Sequence, residues 1–128
     1  MYNVKNVPLD SNEYILWVGY DYTYINDEEV DLFITNNNII YGKNEKSGFF
    51  NSEYKFYKIN LDDILILNNM YKIWASYNEN DELHCVKILL NSFNGELSFQ
   101  FGEDGGGEDA RDGFMMSLIN ILNFIHHH

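Results

Sequence analysis

The chain has 128 residues, the size of one domain, and its 45% apolar and 16% aromatic content is enough to build a packed core and excludes disorder. Eight bases stand against 20 acids, a net charge of −12, so no basic stripe is present to neutralise phosphates; nucleic-acid binding and adhesion to anionic membranes are disfavoured. One cysteine permits no intramolecular disulfide, and the N-terminal residues Met1 to Pro8 lack an apolar run of signal-peptide length, so a cytoplasmic protein is expected.

Short β-rich runs separated by Asn, Asp and Gly fill most of the chain, without internal repeat or linker. Glu13 to Tyr24 predicts a long first strand. Tyr14, Leu16, Val18, Tyr20, Tyr22 and Tyr24 form its apolar, aromatic face, and Glu13, Ile15, Trp17, Gly19, Asp21 and Thr23 the other, with a bend at Gly19. An acidic turn, Asn26 to Glu29, leads to a strand from Val30 to Thr35, with Val30, Leu32 and Ile34 opposed to Asp31, Phe33 and Thr35. Asn36-Asn37-Asn38 suits a tight hairpin with positive φ, and Ile39 to Tyr41 returns. Gly42 to Ser52 reads as a loop with the apolar tip Gly48-Phe49-Phe50. Further strands are expected at Tyr54 to Ile59, Leu65 to Asn68 and Met70 to Tyr77, then a turn from Asn78 to Asp81 and a strand from Leu83 to Leu90. Asn94-Gly95 is the strongest hairpin dipeptide, and it opens Glu96 to Phe101, where Leu97, Phe99 and Phe101 face inward and Glu96, Ser98 and Gln100 outward.

From Asp109 the period changes to that of a helix. Phe114, Leu118, Leu122 and Ile125 recur every three or four residues, and Glu108, Asp109 and Asp112 favour its N-terminal dipole. About seven antiparallel strands and one C-terminal amphipathic helix predict a mostly β barrel plugged by that helix. Residues 1–125 are read as a single domain, and His126, His127 and His128 as a tail, native or the remnant of a purification tag.

The order of elements resembles the pleckstrin-homology (PH) superfold in its bacterial, GRAM-like form. Asp31 to Tyr41, "DLFITNNNIIY", is similar to the second and third strands of that family, and Tyr57 to Leu65, "YKINLDDIL", to a later strand and its exit. "GELSFQF" and the segment to Ile125 resemble the last strand and capping helix. Asn37-Asn38 departs from the basic residue usual after Thr-Asn in the family. The resemblance implies phosphoinositide binding, protein docking or self-association. The loop that carries basic residues in phosphoinositide-binding members corresponds to Tyr24 to Glu29, which is acidic, so phosphoinositide binding is disfavoured.

His84 and Cys85 are adjacent on one strand and point to opposite faces, so they form no nucleophile–base pair, and no other catalytic signature is present. A noncatalytic module that contacts a protein or a second copy of itself is the leading expectation, with no cofactor. Its candidate contacts are Phe49 and Phe50, whose rings either stand free or fold back over the barrel mouth, and Trp17 with Ile15, which form a contact surface or lie beneath the helix. Two alternatives are kept: a carrier of a small apolar ligand inside the barrel, and calcium binding by Glu103, Asp104, Glu108 and Asp109, oxygen donors whose spacing departs from the EF-hand pattern. Asp62, Asp63 and His84 are what an enzyme would have to assemble with distant groups.

Overall fold

The long first run does not stay on one sheet. In the computed structural model, which describes residues 6–19, 22–46, 48–78, 83–92, 95–102 and 105–126, it supplies Ile15–Gly19 (β1) to one sheet and Thr23–Ile25 (β2) to another. β2 turns back into Glu28–Glu29 (β3) through Asn26 and Asp27, whose φ angles of 48° and 72° suit residues that tolerate the left-handed region. The acidic turn is therefore two residues long, and Glu28 and Glu29 pair as strand.

Asp31–Thr35 (β4), Asn38–Lys46 (β5) and Ser52–Asn60 (β6) follow, and the first sheet has the order β1-β4-β5-β6. The β4–β5 turn needs no positive φ at Asn36, Asn37 or Asn38. The Thr35 hydroxyl oxygen accepts the N–H groups of Asn37 (3.1 Å) and Asn38 (2.8 Å), giving the chain a side-chain route around the corner. Gly42 to Lys46, expected as loop, continues the β5–β6 ladder as far as Lys46 opposite Ser52. A Cβ at Gly42 would stand 2.3 Å from the Tyr54 hydroxyl, so glycine is what lets that ring lie across the strand.

A 3₁₀ turn, Leu61–Asp63, leads to a small hairpin, Ile66–Leu67 (β7) and Met70–Tyr71 (β8), turned by Asn68 and Asn69 at φ of 53° and 63°. The run expected from Met70 to Tyr77 breaks at Lys72, whose N–H bonds Leu65 O at 2.9 Å. Ile73–Asn78 (β9), Leu83–Leu89 (β10) and Glu96–Phe101 (β11) then complete a second sheet of order β3-β2-β11-β10-β9. The turns assigned around 79–82 and at Asn94 lie outside the described residues. Every pairing among the described strands is antiparallel.

Gly105–His126 (α1) lays its stripe between the sheets. Phe114, Leu118 and Leu122 are fully buried against Leu32, Ile34, Ile39, Val86, Ile88, Phe99 and Phe101. Each such side chain contributes about 1.5–3 kcal/mol through burial. The helix begins four residues before Asp109. A Cβ at Gly107 would fall 1.6 Å from the Gly102 carbonyl oxygen, so the glycine run serves close docking of the first helical turn on the end of β11.

The faces of β1 are the reverse of the expectation. Tyr14, Leu16 and Tyr22 are exposed, whereas Glu13, Gly19 and Thr23 are buried. The register with β4 slips between Ile15 and Trp17, leaving Leu16 as the bulged residue. Ile15 and Val18 consequently pack with Val7, Phe33, Ile40 and Phe56 on the outer side of the sheet, and Trp17 joins the main core. Both faces of β4 are thereby covered, which is why Phe33 is as buried as Leu32. Gln100, expected to face out, is buried and holds the β2–β3 turn: the Asp27 N–H donates to Oε1 and Nε2 donates to Asp27 Oδ1, both at 3.0 Å.

Candidate functional site

Hairpin β5–β6 changes character along its length. At its base Ile39 and Ile59 lie in the core. One step outward the Tyr41 and Tyr57 rings stack at 5.2 Å, and the Lys43 ammonium stands 5.5 Å from the Tyr57 ring centroid. Farther out the directly opposed lysines Lys43 and Lys55 are relieved by acids, Lys43 bonding Glu28 at 2.6 Å and Lys55 lying 3.6 Å from Glu45. The Tyr57 hydroxyl donates to Glu45, which holds that carboxyl below its usual range and pushes the phenol up. Beyond the last rung, Phe49 and Phe50 are 98% and 99% exposed with centroids 6.4 Å apart. The rings stand free of the barrel mouth.

The hairpin is also an island of charge. Residues 38–60 carry four of the eight bases and two acids, while elsewhere four bases face 18 acids. A large apolar pair at a locally basic tip, on an otherwise acidic protein, is a contact surface by both composition and position.

Trp17 and Ile15 sit elsewhere. Trp17 is half-buried under the helix, its ring 5.5 Å from Phe114 and 6.1 Å from Phe101 in edge-to-face geometry. Ile15 is half-buried in the outer cluster. The tip phenyls and this pair are not brought together. Glu103 and Asp104 lie outside the described residues; Glu108 and Asp109 are exposed on α1, and Glu108 lies 3.9 Å from Arg111. Among the described residues no cluster of three His, Cys, Asp or Glu side chains is placed to hold a metal. The Arg111 guanidinium lies 3.3 Å from His84 Nδ1. Cys85 is buried, which pushes its thiol up. Asp63 accepts the N–H (3.1 Å) and the hydroxyl of Ser92, a tie between the 3₁₀ turn and the strand exit. The barrel interior is filled by the side chains of the core.

Two features escaped the sequence. The first is a buried carboxylate, Glu13, whose side chain is fully shielded. Its Oε1 accepts from the Asp10 N–H (3.1 Å) and Lys58 Nζ (3.3 Å), and its Oε2 from the Thr35 hydroxyl and Asn38 Nδ2 (2.8 Å). Burial alone would raise its pKa, but these donors outweigh it and bring the value down from 4.5 to about 2. The second is a groove of about 320 Å³ between β1, the outer strand of its sheet, and α1, lined by Tyr14, Leu16, Ser117, Asn120, Ile121 and Phe124. Alternation drew attention to Tyr14 and Leu16 but assigned them inward, and nothing local in the sequence joins them to Phe124.

Two layers of antiparallel sheet, a first strand shared between them and a C-terminal helix laid over the opening define a PH-like fold. No family model matches the sequence, and no curated protein matches it. Among solved structures the chain is similar to one described as the Vps36 N-terminal PH domain, with a TM-score of 0.56 at 16% identity over 91% of this chain and 86% of that chain. That likeness supports the PH-like expectation at the level of the fold. Among the described residues no helix is long and apolar enough to cross a membrane.

Proposed function

We propose that the chain is a noncatalytic PH-like module that docks a protein partner through the tip of hairpin β5–β6. The exposure of Phe49 and Phe50 carries this reading: two large rings held in water at the end of a nine-rung ladder contribute nothing to the core and are available for a partner pocket. The separation of Cys85 from His84 on opposite strand faces, with the thiol buried, supports a noncatalytic role. Asp27, Glu28 and Glu29 in the β2–β3 hairpin weigh toward a protein contact over a phosphate headgroup.

The test places a photo-crosslinking phenylalanine analogue at Phe49 or, as a control, at exposed Tyr22. A discrete protein adduct from the Phe49 position alone supports docking at the tip. Equal labelling from both positions, or no adduct, overturns it.

A further inference from the structure

The structure holds, on one chain, both an exposed apolar plug and an exposed apolar socket. The plug is Phe49–Phe50 on its basic hairpin. The socket is the groove between β1 and α1, walled by Leu16 and Ile121, with Tyr14 and Phe124 more than half exposed at its rim. At about 320 Å³ it lies at the low end of the range for ligand pockets, a size for one or two aromatic side chains. Charge matches as well as shape. The hairpin carries four lysines and two glutamates, whereas α1 carries Glu108, Asp109 and Asp112 against Arg111 alone. A plug with a surplus of positive charge therefore meets a helix, and a whole remaining chain, with a surplus of negative charge.

From this pairing we infer that the partner at the tip is a second copy of this chain, whose β1–α1 groove receives Phe49 and Phe50. The inference rests on the docking role proposed above and gives it an occupant. Because plug and socket are different surfaces, the contact is head-to-tail; each bound copy leaves one plug and one socket open, and assembly continues until the rotation closes a ring.

Two variant classes test it by sedimentation velocity. Phe49→Ala with Phe50→Ala removes the plug and keeps the socket; Leu16→Arg, or separately Phe124→Arg, blocks the socket with the hairpin's own sign of charge and keeps the plug. All these positions are exposed, so circular dichroism is expected to match the wild type, and Phe124→Arg serves if Leu16→Arg misfolds. The wild type is expected to grow beyond a monomer with concentration. Each variant alone is expected to lose self-association by at least roughly 30-fold, the loss of an anchor pair at an interface. Mixing the two classes restores one intact contact and stops at a 1:1 pair. Raising salt from about 0.1 to 1 M, which shortens the screening length from roughly 10 to 3 Å, weakens the wild-type assembly. A tip variant that assembles like the wild type, or a mixture that fails to pair, overturns the inference. A monomeric wild type that still crosslinks another protein from position 49 overturns self-docking alone and leaves the docking role standing. Co-sedimentation of the wild type with phosphatidylcholine–phosphatidylserine vesicles, lost in the tip variant, overturns it in favour of a lipid surface.

Discussion

The two ends of hairpin β5–β6 reverse the usual distribution of polarity. At its base Asn38 and Lys58 help surround Glu13, a carboxylate shut away from solvent, while at its tip two phenyl rings stand in water. The base is costly to desolvate and is tolerated because four donors converge on it. The tip forgoes burial that would have stabilised the fold. The contrast separates what holds the protein together from what is left over for contact.

The largest effect belongs to neither end but sets the scale. Phe114→Ala, at the centre of the helix–sheet contact, is expected to cost about 3–5 kcal/mol in urea denaturation. Glu13→Gln at the base is expected to cost about 2–3 kcal/mol at pH 7, since it removes a charged acceptor from four donors. The sign with pH follows from the lowered native value. The stabilisation is complete above the unfolded carboxyl's 4.5 and is lost as pH falls toward about 2, so denaturation curves of wild type and Glu13→Gln converge across that window. Curves that stay parallel there would remove the carboxylate from the account. Gln100→Ala, which frees the Asp27 turn, is expected to cost about 1 kcal/mol and to raise amide exchange at Asp27 and at Ser98, which Asn26 also bonds. Smallest of all, Phe49→Ala with Phe50→Ala is expected to leave stability within about 0.5 kcal/mol. A larger loss would mean that the rings pack on the fold after all, and the contrast between the ends would fail.

Periodicity alone was enough to read the elements whose neighbours repeat the same instruction. Leu97, Phe99 and Phe101 alternate within one regular strand, and Phe114, Leu118 and Leu122 recur along one helix, so local pattern and tertiary burial agree. The first strand was misread because a single bulged residue exchanges the faces, and period-two counting contains no term for that. The start of α1 was missed because three glycines resemble a linker until Gly102 is seen against Gly107. Of the site, Phe49 and Phe50 were visible as two aromatics among turn residues, although their exposure was not. The groove was hidden because Leu16 and Phe124 come from opposite ends of the chain. Glu13 was hidden because nothing in a strand-initial glutamate announces that Thr35, Asn38 and Lys58 will gather around it.

The slipped register at Leu16 has a consequence for how this sheet accepts change. With it, one five-residue strand feeds two separate oily layers, sending Ile15 and Val18 outward and Trp17 inward. Removing that one residue would restore strict alternation and leave the strand unable to supply both layers in its present register. The chain's two cores are thus coupled through a single irregular step, and length at this point is under tighter control than side-chain identity.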